Sequence, residues 1–106
     1  MKRNETIERG GSNVFADLGL ADSEEMQTKT QLAVRILDTI DARGLTQTQA
    51  AELVGLKQPD ISNLRHARLG AFTIDRLLRV LRRLGHSVEL QVSAEITEDA
   101  HLFVTA

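Results

Sequence analysis

The sequence predicts a mainly α domain of four to five helices followed by a C-terminal β-strand. Three observations lead there. Apolar residues recur at helical spacing along most of the chain. Cap residues and glycines cut that pattern into short segments. At residues 86–92 the period changes to two. With 106 residues the chain has room for one domain and one modest core. Its aromatics are three Phe alone, so that core must be built from Leu, Ile, Val and Ala.

The elements follow in order. Residues 1–22 read as an N-terminal arm, polar through 12 and ending in a short apolar segment. There Val14, Phe15 and Leu18 fall at i, i+1, i+4, and Gly19 follows. One such turn is not stable alone, so it must pack on its own domain or on a partner. Ser23 with Glu24 and Glu25 behind it marks a helix start. Leu32, Ala33, Ile36, Leu37 and Ile40 form that helix's apolar stripe, opposite Arg35, Asp38, Asp41 and Arg43, and Gly44 closes it. Thr46 with Gln49 three residues on is a capping box, opening a helix to about Val54 that Gly55 ends.

The next helix is expected over 58–67. Pro59 suits its first turn, where a missing N–H costs nothing, and Asp60 suits the helix dipole. Ile61 and Leu64 face inward. After a loop at 69–72, Thr73 caps a helix whose stripe is Ile74, Leu77, Leu78, Leu81 and Leu84. Its other face carries Arg76, Arg79, Arg82 and Arg83, and Gly85 ends it. Val88, Leu90 and Val92 then alternate with Ser87, Glu89 and Gln91. A lone strand leaves two edges unpaired. It is expected to pair with the same strand of a second chain as a dimer interface, or else to form a hairpin with residues 94–106. The chain thus divides into an arm at 1–22, a helical domain at 23–85, and a strand with an acidic tail at 86–106.

Charge is distributed unevenly along these parts. The whole chain is −2, but residues 57–86 carry +5 and residues 87–106 carry −4. A polyanion responds to the local field, not to the total. The basic block begins at Lys57, directly after the turn between two short helices. Two helices joined by a glycine turn form a helix-turn-helix, whose second helix enters the DNA major groove with its first turn against base edges. Gln58 in that turn can pair with the N6/N7 edge of adenine. Ser62 and Asn63 lie about one turn further along. Gln47 opens the preceding helix, where a side-chain amide can reach a phosphate or brace Gln58. Lys57, Arg65 and Arg68 flank this surface and suit phosphates. The N–H groups of the 69–73 loop are a further phosphate candidate.

Gln47, Ala51, Gly55, Leu56, Gln58, Ile61, Ser62 and Leu64 resemble the pattern of Cro/CI-type (XRE) helix-turn-helix regulators over about residues 28–85. The segments 12–20 and 75–92 are similar to those of the HigA-like antitoxin subgroup. That resemblance implies a dimeric repressor of its own operon that neutralises a small ribonuclease toxin; Val14, Phe15 and Leu18, apolar and outside the recognisable domain, are the candidates for the toxin contact. The alternatives are a stand-alone regulator without a toxin, and a protein–protein adaptor. The chain departs from the family pattern at Lys57, where Ser or Thr is common, and at Pro59, where many relatives carry a polar side chain.

Other classes find little support. Without Cys there is neither a disulfide nor a thiolate metal site. His66, His86 and His101 lack ligand spacing, so no metal or other cofactor is expected. No phosphate loop, HExxH or GxSxG occurs, so no enzyme is expected. The N-terminus has no apolar run after its charges, and no stretch approaches the ~18 apolar residues of a membrane span. A cytoplasmic location is the expectation.

Overall fold

The computed structural model describes residues 22–98 and 101–105. The described part contains four helices: α1 (Asp22–Ala42), α2 (Gln47–Val54), α3 (Gln58–Arg65) and α4 (Ile74–Arg83). The arm and its apolar Val14, Phe15 and Leu18 lie outside the described residues.

The helix ends form where the cap chemistry puts them. At α2, Thr46 Oγ1 accepts from the Gln49 N–H at 3.1 Å, while Gln49 Oε1 accepts from the Thr46 N–H at 2.9 Å. At α4, Thr73 Oγ1 accepts from the Arg76 N–H. Gly44, Gly55 and Gly85 all adopt positive φ just past a helix, where the reversed backbone satisfies terminal carbonyls. Two boundaries differ from the sequence reading. Ser23 lies within α1, which begins one residue earlier, so it is not the N-cap. And α3 stops at Arg65, two residues short of the expected end. There the left-handed position falls on Ala67 (φ 56°), with Arg68 N–H donating to Asn63 O at 2.8 Å. The sequence gives no sign of this turn because no glycine marks it.

The core is aliphatic around one aromatic. Ile36 and Ile40 of α1 meet Ala50, Ala51 and Val54 of α2, Ile61 and Leu64 of α3, and Leu77, Val80 and Leu81 of α4. Leu69 and Phe72, in the connection expected to be a plain loop, are 2% and 1% exposed. That connection is therefore a packed corner between α3 and α4. Pairing of α1 with α4 and of α2 with α3 makes the body. The two alanines leave room for close helix approach at α2.

The C-terminal strand does not form. Residues 86–98 carry no regular secondary structure, and the hairpin with 94–106 is likewise missing among the described residues. The physical reason is that a strand is made by its ladder, and one chain offers no second strand here. Val88 packs partly against the core, while Leu90 and Val92 are 71% and 89% exposed. Residues 101–105 return instead to α1. Glu24 accepts from the Leu102 N–H at 3.1 Å and pairs with His101 Nδ1 at 2.8 Å. Arg35 Nη2 donates to the Thr105 carbonyl at 2.6 Å. Leu102 and Val104 pack against the core between these contacts. The two bonds to Glu24, Leu102's first, hold its carboxyl below the usual carboxylate range.

Candidate nucleic-acid interface

Helix α3 owes its position to both of its faces. Ile61 (0% exposed) and Leu64 (2%) anchor it in the core. At about 100° per residue, Pro59, Ser62, Asn63 and His66 then project outward, with Gln58 at the N-terminal edge of that face. Its first turn is fixed without a side-chain cap from Lys57. The Lys57 backbone N–H donates instead to Asp60 Oδ2 at 3.2 Å. An acceptor three residues into the helix thus replaces the Ser or Thr that the position usually carries.

Asp60 would repel phosphates if left alone. Arg76 of α4 reaches the same Oδ2 at 3.2 Å, and its guanidinium lies 4.7 Å from the centroid of the Phe72 ring. The buried ring, the guanidinium and the carboxylate form a stack that ties the first turn of α3 to the first turn of α4. Sequence reasoning placed Arg76 on a solvated basic face and missed this. The available signal was an acid in the recognition helix that needed a counter-charge.

Gln58 is exposed, and its Nε2 donates to Thr48 Oγ1 of α2 at 2.7 Å. An amide nitrogen has two hydrogens. One is committed to Thr48, which leaves a second N–H and Oε1 as a donor and an acceptor for a base. That pair is the arrangement that reads the N7/N6 edge of adenine. Thr48 thus performs the brace that sequence reasoning gave to Gln47 as one of two options. Gln47 is exposed at the N-terminus of α2, free for the other option, a phosphate.

The remaining candidates separate. Ser62 and Asn63 are half-buried on the outward face. His66, which sequence reasoning left as a surface residue, lies there too, its Nδ1 2.8 Å from the Ser62 carbonyl oxygen and 3.4 Å from Ser62 Oγ. Lys57 and Arg68 are exposed at the two ends of α3. Arg65 points away from the outward face and donates to Asp41 Oδ1 of α1 at 2.8 Å. This bond lowers the Asp41 pKa and makes Arg65 a tether between α3 and α1 in this structure. No helix among the described residues is long and apolar enough to cross a membrane.

Comparisons with known proteins agree with this geometry. A family model described as a helix-turn-helix domain matches residues 14–93. A solved structure provisionally named an XRE family transcriptional regulator superposes with a TM-score of 0.71 at 34% identity, over 81% of this chain and 97% of that one. A search of curated proteins finds no significant match. The family match spans all four helices, and the structural match covers most of both chains at 34% identity, so the chain belongs to the helix-turn-helix domain family, as a DNA-binding transcriptional regulator of the XRE type.

Proposed function

We propose that the protein is a sequence-specific repressor that binds its operator as a homodimer and serves as the antitoxin of a type II toxin–antitoxin pair. The observation that carries the base-reading part is the Thr48–Gln58 bond. A long glutamine side chain fixed before DNA arrives loses less rotamer entropy on binding. Gln58 reads a base, while Gln47, Lys57 and Arg68 contact phosphates. Two half-sites about 10 bp apart match a two-fold dimer. The activity is binding without catalysis.

The antitoxin part rests on the HigA-like resemblance of the segments flanking the body. The helix-turn-helix family match begins at residue 14 and ends at 93, so it takes in both the apolar segment Val14, Phe15, Leu18 and the alternating segment. The partner is a small ribonuclease, contacted through the first of these. Co-expression with the small reading frame beside its gene tests this. Rescue of growth and a stable co-purified complex support the antitoxin. With no rescue and no complex, a stand-alone regulator remains. Fluorescence anisotropy tests the repressor part. Full-length protein should prefer its own promoter duplex about 1000-fold over a scrambled one, with affinity falling steeply as salt rises.

A further inference from the structure

Two charged features near the C-terminal end of the body form no ion pair among the described residues, although Asp75 lies close enough to Arg79 for the two charges to interact. Arg79, Arg82 and Arg83 line a concavity of about 580 Å³ with Gly85, His86 and Ser87, and no described carboxylate lies within ion-pair distance of any of the three guanidiniums. The concavity is anchored from beneath: His86 Nε2 lies 2.7 Å from Thr39 Oγ1, and Arg43 donates to the Leu84 carbonyl at 3.1 Å. Further along, Glu89, Glu95 and Glu98 are exposed and form no ion pair. Ile96 between them is 98% exposed. Among the described residues, these three acids do not fold back onto these three arginines.

A second copy can bring the two together. In an antiparallel pair about a two-fold axis, opposed residues point to one face. An axis at Leu90 sets Val88 opposite Val92 and Leu90 opposite itself, so the apolar side of the segment becomes continuous. The same antiparallel direction carries residues 93–98 toward the partner's Gly85 and the end of its α4, where the concavity lies. Three residues beyond Val92 at ~3.3 Å each is about 10 Å past the partner's Val88. Three residues back from the partner's Val88, Gly85 lines the concavity. The arrangement is isologous, so each copy gives an acidic stretch and receives one.

We propose that in the dimer, on whose existence this inference rests, the Glu95–Glu98 stretch of one copy docks into the Arg79–Arg82–Arg83 concavity of the other. Apolar pairing of the 88–92 segments sets the register. The cross-chain ion pairs exclude the shifted and parallel registers, because a slip of two residues moves the carboxylates off the guanidiniums. The arginine face of α4 is then a dimer surface and not a DNA surface. Arg76, in the first turn of α4, instead meets the recognition helix, while Arg79 and Arg82 lie further along α4.

The test is a charge swap in the full-length chain, read by sedimentation equilibrium at low and high salt. One variant is Arg79→Glu with Arg82→Glu, and the other is Glu95→Arg with Glu98→Arg. Arg83 is left in place because its guanidinium rests against the turn at Gly55. Each variant alone should dimerise at least about 10-fold more weakly than wild type, most clearly at low salt, where surface pairs are least screened. An equimolar mixture should recover wild-type affinity as a heterodimer. Variants that dimerise as tightly as wild type, or a mixture no tighter than either alone, overturn the docking and leave the dimer intact. A wild-type chain that stays monomeric overturns both. Thermal melting of each variant establishes that the fold is retained before the comparison is made.

Discussion

The body at 22–85 and the segment at 86–105 differ in how their polar and apolar groups are satisfied. In the body, α2 and α4 start on capping threonines, and Gly44, Gly55 and Gly85 close α1, α2 and α4. The inward stripe of every helix meets another stripe. In the C-terminal segment, Leu90, Val92, Ile96 and Phe103 stand 71–98% exposed. Its ties to the body are the His86 contact with Thr39, bonds to Glu24 and Arg35, and the packing of Val88, Leu102 and Val104. The body's apolar faces cover one another within the chain, while much of the segment's apolar surface stays exposed. Helices close their hydrogen bonds locally, whereas strands need a neighbour, so the two regions answer differently to isolation.

Substitutions should widen or narrow that difference in a definite order. Phe72→Ala removes the one aromatic of the core at the α3–α4 corner and should cost about 3–5 kcal/mol in denaturant unfolding. It should also release Arg76 from its stack and so loosen the first turn of α3. Truncation after Glu98 should cost less, roughly 1–2 kcal/mol, because it removes only the half-buried packing of Leu102 and Val104. A larger loss would mean that the tail belongs to the body. Thr46→Ala breaks the capping box of α2 and should cost about 1 kcal/mol. Ala67→Gly should stabilise by about 0.5–1 kcal/mol, since it relieves a left-handed alanine.

The smallest effect is a pH dependence. The folded-state pKa of Glu24 is depressed, so its contacts contribute stability above the unfolded carboxylate pKa and lose it as pH falls through the folded value. The Leu102 amide resonance should therefore shift with a midpoint below the ~4.3 of a free glutamate. A midpoint at or above that value would show that the tail does not hold this carboxylate in solution.

What the sequence made legible follows the same division. All four helices lie within two residues of their expected ends, because Thr46, Thr73 and the three glycines announce themselves locally. For the candidate DNA contacts, exposure was partly legible. Gln58, Lys57 and Arg68 stand exposed on or beside α3 as expected. Arg65 was misjudged because spacing along one helix cannot reveal Asp41 on another. Thr48 and Arg76 were missed for the same reason, since each acts across a helix–helix contact. The strand was misread because alternation records a surface with two faces and does not say what lies beside its edges.

The central claim is that α3 reads DNA through a glutamine held in place by Thr48. Its most direct test is the anisotropy titration repeated with Gln58→Ala and Thr48→Val on promoter and scrambled duplexes. Gln58→Ala should lose about 1–3 kcal/mol on the promoter and little on the scrambled duplex, and should relax base choice at one position per half-site. Thr48→Val should lose about 1 kcal/mol in the same selective way, because it removes the brace and keeps the shape. Equal losses on both duplexes, or none, would contradict the account.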